Sequence, residues 1–282
     1  MTALAPILRE LLARGEAAIV VAVARVKGSA PRGVGTRMLV TANGIHGTVG
    51  GGRLEWEAID RARDLLHRGV AAATMDVPLG PEIGQCCGGF VSLDLRRADA
   101  VVCAELAARE REECGRLPLV LLFGAGHVGK ALAYALAPLP LRVRWIDGRA
   151  GEFPSPPIAG PEVVVTERAL AEVEAAPAKA AYLVLTHSHA LDSMICAAVL
   201  QRGDFAWLGL IGSRTKRKRF ERGFRELGIS EQRIARLVCP IGGTRLKDKR
   251  PAVIAALVAA ELLHALAEPA AKDQPRTTGE AA

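Results

Sequence analysis

From residue 118 onward, short apolar strands alternate with helical segments, and the first of these strands runs directly into a glycine turn. Gly124, Gly126 and Gly129 form the motif GAGHVG between the strand VLLF and a helix, and Asp147 ends the second strand, WID. Strands and helices that alternate in this way predict a doubly wound parallel sheet, because parallel strands need crossover connections that cover both faces. We therefore predict a Rossmann-like α/β domain over residues 117–267.

The glycine turn also predicts a binding site. The first two glycines allow backbone N–H groups to approach a phosphate at a helix N-terminus, and the third allows close helix–strand packing. Asp147 could then accept hydrogen bonds from a ribose diol, so NAD(P) or another dinucleotide is one predicted ligand. An inherited fold without a ligand, or a different phosphate-bearing ligand, is the alternative, because a fold does not determine a function.

The segment THSHALD, which follows the strand YLVL, places His187, His189 and Asp192 close together in the sequence. The fourth strand of a doubly wound sheet lies beside the first, so we expect these residues near the glycine turn and near His127. Three interpretations stay open. The residues could ligate a metal, contact a bound ligand, or cap the following helix, where Asp192 would face the positive end of the dipole.

The preceding part of the chain predicts a smaller α/β domain over residues 1–98, followed by a charged helical linker at 99–116. Its pattern is a helix, a buried strand, a hairpin with the turn signal Asn-Gly, an amphipathic helix after GGG, and two further strands. Beyond this pattern and the Rossmann-like segment, the polar tail 268–282 contains prolines and is predicted to be disordered.

Three glycine-rich loops of the smaller domain hold groups that suit a phosphate-bearing anion. The loop GSAPRGVGTR supplies arginines, TVGGGR supplies backbone N–H groups at a helix start, and IGQCCGG supplies an amide and two thiols. Turns that simply need glycine are the alternative. The candidate cofactor-binding residues in these loops are Arg32, Arg37, Gly50, Gly51, Gly52, Gln85, Cys86, Cys87 and Gly88.

The adjacent Cys86 and Cys87 are two of the six cysteines in the chain. A vicinal disulfide would contain a strained ring, and a structural zinc site would need two more ligands nearby in the sequence. Thiols that are reactive or that bind a soft metal meet neither difficulty, and this interpretation makes both cysteines candidate metal ligands. Cys103, Cys196 and Cys239 lie in apolar segments and are predicted to be buried.

The net charge of +7 is concentrated in the run RTKRKRFERGFR, residues 214–225, which holds seven Lys or Arg and one Glu. A solvated helix face and a docking surface for an acidic partner or ligand both account for this run. Nucleic acid is not an expected partner, because no pattern of aromatic platforms accompanies the charge. Without a signal-peptide pattern or a long apolar segment, we predict a cytoplasmic protein with reduced thiols and no membrane contact.

Taken in order, several motifs closely resemble those of one family, the xanthine dehydrogenase accessory proteins, XdhC/CoxI. They span residues 7–266 and read GSAPRGVGTRMLV, GTVGGGRLEWEAI, GQCCGG, FGAGHVGKAL, WIDGR, THSHALD, GLIGSRTKR, PIGG and PAVIAALVAAELL. The resemblance implies an N-terminal XdhC/CoxI domain and a C-terminal Rossmann domain. It also implies that the protein binds the molybdenum cofactor, protects it while a cysteine desulfurase adds the sulfido ligand, and delivers it to xanthine dehydrogenase or a related molybdenum hydroxylase.

The family's cysteine motif falls on Gln85, Cys86, Cys87, Gly88 and Gly89, and the resemblance therefore places the molybdenum cofactor in the three N-terminal loops. Cys86 or Cys87 would be a transient molybdenum ligand. The segment PIGGTRLKDKRP is more basic than the family's usual loop. We expect an accessory factor rather than an enzyme, and the resemblance also allows a homodimer.

Two other function classes remain as alternatives. One is an NAD(P)-dependent oxidoreductase that uses the GAGHVG site, with His127, His187 or His189 as acid or base. The other is a thiol redox module in which Cys86 and Cys87 change reversibly between thiols and a disulfide.

Overall fold

The computed structural model describes residues 3–79, 89–243, 246 and 248–267, and the chain divides into two compact units, Met1–Arg116 and Leu117–Ala282. The candidate residues Gln85, Cys86, Cys87 and Gly88 lie outside the described residues. In the part that is described, no helix has both the length and the apolar character needed to cross a membrane.

The first unit is an antiparallel five-stranded sheet with helices on both faces, and its strand order is β3-β2-β1-β5-β4. Its elements are α1 (Leu4–Ala13), β1 (Ala18–Lys27), β2 (Arg37–Thr41), β3 (Ile45–Gly47), α2 (Gly52–Arg68), β4 (Ala72–Leu79), β5 (Gly89–Arg97) and α3 (Ala100–Arg116).

Alternation along β1 explains why both faces of this sheet are covered. Ile19 and Val21 point toward α2, whereas Ala18 and Val20 join the cluster formed with α1 and α3. The helix that the sequence predicted as a linker is α3, and it packs within the first unit. Its Glu110 accepts hydrogen bonds from the free N–H groups at the start of α1, which ties the two helices together.

The second unit is a parallel six-stranded sheet with the order β11-β10-β9-β6-β7-β8, so the predicted Rossmann-like fold is confirmed. Its elements are β6 (Leu119–Phe123), α4 (His127–Leu136), β7 (Arg142–Asp147), β8 (Glu162–Val165), α5 (Ala169–Ala175), β9 (Ala181–Val184), α6 (His189–Arg202), β10 (Trp207–Leu210), α7 (Arg214–Glu226), α8 (Glu231–Ile234), β11 (Leu237–Val238) and α9 (Pro251–Leu266).

Strand β6 lies at the centre of this sheet and contributes to two cores. Leu121 and Phe123 face the core formed with α5, α6 and α7, and Val120 and Leu122 face the core formed with α4 and α9. The strand order reverses between β6 and β9. Loops that follow two such strands diverge and leave a crevice at the carboxyl edge, which is where ligands bind in sheets of this type.

Candidate functional site

The turn between β6 and α4 is a close-packed backbone structure in which the glycines have different roles. Gly124 has φ +117°, and a Cβ there would lie 2.3 Å from the carbonyl oxygen of Leu185. A Cβ on Gly129 would lie 2.0 Å from the carbonyl oxygen of Gly124. Gly126 has no heavy atom within 4 Å of its Cβ position and begins the helix as its N-cap. Packing therefore requires two of the glycines, and the third is open to a ligand.

Asp147 holds this turn from the neighbouring strand. One of its carboxylate oxygens accepts a hydrogen bond from the N–H of Ala125 at 2.8 Å, and both oxygens accept hydrogen bonds from Arg149. Burial acts to raise the pKa of Asp147, but the bonds from Arg149 and Ala125 outweigh it and lower that pKa to about 2. A ribose diol would therefore share this carboxylate with Arg149. The sequence did not indicate Arg149 as a partner of Asp147.

The segment that follows β9 lies directly beside the glycine turn, as predicted from the topology. The N–H of Leu185 donates to the carbonyl of Phe123 at 2.9 Å, and the backbone of Thr186 lies against Gly124. His127 opens α4 and His189 opens α6, and both are exposed, as is His187. The three histidines thus lie on the segments that follow β6 and β9, and their side chains are open to solvent.

Asp192 is fully buried and holds the segment in place instead of facing the crevice. Its Oδ1 accepts hydrogen bonds from the N–H and the hydroxyl of Thr186, at 2.9 and 2.7 Å. Its Oδ2 accepts one from Nζ of Lys216 at 2.6 Å, and Nζ also donates to the carbonyl of Ile211. Ser188, not Asp192, caps the helix. The structure therefore assigns Asp192 a positioning role.

Lys216 was not singled out from the sequence, although a signal for it exists. It shares the i, i+4, i+8 stripe of α7 with the buried Phe220 and Phe224, so the helical period directs it toward the core. Composition alone does not show which of the seven basic residues in the run is buried. Its position on the apolar stripe is what distinguishes it.

In the first unit, the loop before α2 is closed around a carboxylate of its own helix. Gly50, Gly51 and Gly52 all have positive φ, at 138, 75 and 63°, which only glycine adopts without strain. Glu55 accepts hydrogen bonds from the N–H groups of Val49 and Gly51 and from the hydroxyl of Thr48. Burial acts to raise the pKa of Glu55, but these bonds hold it below its usual range. An anionic ligand at this loop would have to compete with Glu55.

The two candidate arginines of this unit differ in availability. Arg37 makes a two-point ion pair with Glu113 on α3, at 2.7 and 3.2 Å, and its side chain is largely buried. Arg32 is exposed, and its side chain lies beside Gly50. Arg37 thus joins α3 to the sheet, and Arg32 can contact a ligand.

Two of the three loops predicted to share a ligand contact each other, and the first residue after the third lies beside them. A Cβ on Gly50 would lie 2.9 Å from the Cβ of Pro31, so the glycine loop before α2 contacts the arginine loop. A Cβ on Gly89 would lie 2.0 Å from the carbonyl oxygen of Ser29, so the first residue of β5 also contacts the arginine loop. The arginine loop therefore lies against both Gly50 and Gly89.

In the described segments, no group of three or more His, Cys, Asp or Glu side chains could hold a metal ion. Cys103, Cys196 and Cys239 are buried, as predicted, whereas Cys114 is exposed. Burial raises the pKa of both Cys196 and Cys239, so these two thiols are poorly suited to act as nucleophiles at neutral pH.

Comparisons with known proteins agree with this architecture. The family model described as the XdhC Rossmann domain matches residues 120–262, and the model described as the XdhC and CoxI family matches residues 11–77. The uncharacterized protein YqeB of Escherichia coli is 32% identical over 248 residues, which cover 84% of this chain and 41% of that relative. The chain thus spans about two fifths of the length of this curated relative.

A solved structure from Bacillus halodurans, described as a xanthine dehydrogenase, is similar to this chain along almost its whole length. The TM-score is 0.72, with 16% sequence identity over 97% of this chain and 98% of that one. At such low identity the similarity supports the fold alone.

Proposed function

The chain belongs to the XdhC and CoxI family, and from this membership we propose that it is an accessory factor in the maturation of xanthine dehydrogenase or a related molybdenum hydroxylase. In this proposal its cargo is the molybdenum cofactor. The protein holds the cofactor, presents it to a cysteine desulfurase for sulfuration, and delivers it to the apo-enzyme in the cytoplasm.

The observation that carries the proposal is the contact of the arginine loop with the glycine loop and with Gly89, the residue that follows the thiol-bearing segment in the chain. The arginine loop lies against both Gly50 and Gly89. A molybdopterin carries a phosphate, a polar pterin and a metal held by sulfur, so it needs an anion-binding group, hydrogen-bonding partners and a soft ligand. These loops carry all three kinds of group within one chain region.

The described residues fit this cargo in part. Arg32 is exposed beside Gly50 and can contact a phosphate, whereas Arg37 is engaged with Glu113. The N–H groups of Val49 and Gly51 are engaged with Glu55, so a phosphate bound at these groups would exchange with this carboxylate. We propose that Cys86 or Cys87 supplies the soft ligand. Exchange of one anion for another suits a protein that must also release its cargo.

The test measures bound molybdenum and pterin on the purified full-length protein after loading with the molybdenum cofactor. We expect Cys86→Ala or Cys87→Ala to lower the bound metal by about tenfold, because thiolate is the preferred ligand of a soft centre. Cys114→Ala is the matched control, since this thiol is exposed on α3 and belongs to none of the three loops. Equal cofactor binding in both loop variants and the control would contradict the assignment of the thiols.

A second candidate function, dinucleotide binding in the C-terminal unit, is favoured by the open position of Gly126 at the reversal of strand order. Trp145 is fully buried and donates a hydrogen bond from Nε1 to the carbonyl of Gly124 at 3.0 Å. Its fluorescence should therefore respond when a ligand moves the turn. Titration with NAD and with NADP tests this candidate, and no change with either would remove it.

A further inference from the structure

A row of basic side chains runs along the outward face of α7. Arg214, Lys218, Arg219 and Arg222 are exposed and take part in no salt bridge within the described residues. We call these four residues the basic stripe. Three of them recur at every fourth position, so they extend for about 12 Å along one side of the helix.

The remaining cations of α7 already have partners. The pairs are Lys216 with Asp192, Arg217 with Glu221, and Arg225 with Glu231. Phe220 and Phe224 bury the opposite side of the helix. The structure thus separates the charges of this run into those that serve the fold and those that face solvent.

Helix stability does not account for the basic stripe. Like charges four residues apart repel each other, and cations in the first turn of a helix oppose its dipole. The first turn of α7 contains no acidic residue that would offset this effect. The described acidic side chains beside the stripe are Glu221, which is paired with Arg217, and Glu226, at the far end of the helix. The positive potential is therefore available to an anion from outside.

An open groove of about 560 Å³ lies beside the basic stripe. Arg214 and Lys218 line one side of it beside the ion pair of Arg217 and Glu221, and Leu237, Val238 and Pro240 give it an apolar lining. Among the described residues no aromatic side chain lines the groove, so they offer no platform on which a nucleic acid base could stack. Cations next to an apolar recess are complementary to an acidic protein segment that also carries an apolar side chain.

We propose that the basic stripe and this groove form a docking surface for an acidic segment of a partner protein. Carboxylates of the segment pair with the stripe, and an apolar side chain between them enters the groove. The inference goes beyond the proposed function, since neither the cofactor loops nor the glycine turn contributes to it. Electrostatic complementarity of this kind accelerates encounter and fixes the orientation of the partner.

The test uses the full-length protein and a fluorescein-labelled peptide of about 16 residues, rich in Glu with one central Leu, followed by anisotropy. The variant Arg214→Gln/Lys218→Gln/Arg222→Gln should bind the peptide at least about tenfold more weakly than the wild type, and raised salt should reduce the difference. The control Arg9→Gln/Arg63→Gln/Arg109→Gln removes the same charge from exposed positions of the first unit. It should change affinity less than about twofold.

A thermal melt separates binding from folding. Gln has nearly the helix propensity of Arg and Lys, and the substitution removes repulsion, so the melting temperature of the stripe variant should equal or exceed that of the wild type. The proposal fails if the stripe variant binds the peptide like the wild type, or if both variants weaken binding equally. It fails also if single-stranded DNA of equal charge binds more tightly than the peptide and depends on the stripe, because nucleic acid would then be the ligand.

Discussion

Both units contain a glycine-rich loop that opens a helix, and in both a carboxylate of this chain bonds to backbone N–H groups of the loop. In the first unit the carboxylate is Glu55, from the helix that the loop precedes, and it is partly exposed. In the second unit it is Asp147, from the adjacent strand, and it is buried. The first arrangement is local in sequence, whereas the second joins two strands of the sheet.

The difference shows that glycine runs of similar appearance serve different physical needs. The loop before α2 needs glycine for its positive φ angles, and the space around Gly51 is open. The turn after β6 needs glycine at positions 124 and 129 because a backbone carbonyl oxygen, of Leu185 and of Gly124 respectively, lies within 2.3 Å of each missing Cβ. Substitutions to alanine can distinguish the two loops, because backbone strain and atomic overlap lower the free energy of unfolding by different amounts.

The largest expected effect is that of Gly129→Ala, which would push a methyl group into the carbonyl oxygen of Gly124. Backbone must move to relieve this contact, so we expect the free energy of unfolding to fall by about 3 kcal/mol or more. Gly51→Ala meets no atom and should cost only the strain of a positive φ with an extended ψ, 75° and −176°, about 2 kcal/mol. Urea unfolding of both variants measures the difference. Equal losses would show that collision is not what distinguishes the two loops.

The next effect concerns Asp192, which has no counterpart among the described residues of the first unit. Asp192→Asn leaves Lys216 buried without its anion, and we expect a loss of about 3 kcal/mol in the free energy of unfolding. Lys216→Met combined with Asp192→Asn should lose clearly less than the sum of the single variants, because no unpaired charge remains. A double-mutant cycle by urea unfolding measures this coupling. Additive losses would contradict a direct pair.

A smaller effect should appear as pH falls. The folded pKa of Asp147 is about 2, below an unfolded value of roughly 3.9, so its contribution is present above pH 4 and disappears as pH falls toward 2. That contribution is roughly 2 kcal/mol. Unfolding of the wild type and of Asp147→Asn should differ most at pH 6 and converge in acid. The pKa of Glu55 is also lowered, so Glu55→Gln should converge with the wild type in the same direction.

The smallest expected effect on stability is that of Gly126→Ala, since its Cβ position is empty and its backbone is extended. The free energy of unfolding should change by less than about 0.5 kcal/mol. If the turn binds a dinucleotide, the added methyl group should still weaken that binding, because phosphate approaches the backbone at this glycine. Gly115→Ala, at an open helical position, is the control. Unchanged affinity in a chain that does bind NAD or NADP would place the phosphate elsewhere.

Local patterns were sufficient to predict most of the second unit. A parallel sheet follows from the alternation of apolar strands and helices, and the place of THSHALD beside the glycine turn follows from the strand order of such a sheet. The ion-pair partners of the site residues could not be predicted from these local patterns. Arg37 and Glu113 are 76 positions apart, and Lys216 is 24 positions from Asp192. Neither pair falls within the short segments over which local patterns are read.

The antiparallel sheet of the first unit illustrates the same limit at the level of strands. The hairpin formed by β2 and β3 was predicted from its Asn-Gly turn, because this signal is local. Strand β1 pairs with β5, and the two are separated by most of the unit. Such pairing depends on tertiary packing, which periodicity does not specify.

The pairing of β4 with β5 has a consequence for the variability of this protein. Leu79 and Gly89 are direct partners in the register, so the chain leaves the sheet and returns to it at adjacent positions. The entropy cost of closing a loop grows only with the logarithm of its length, and each doubling costs about 0.6 kcal/mol. Homologues and engineered forms can therefore lengthen, shorten or replace the thiol-bearing segment while the strands on either side keep their register.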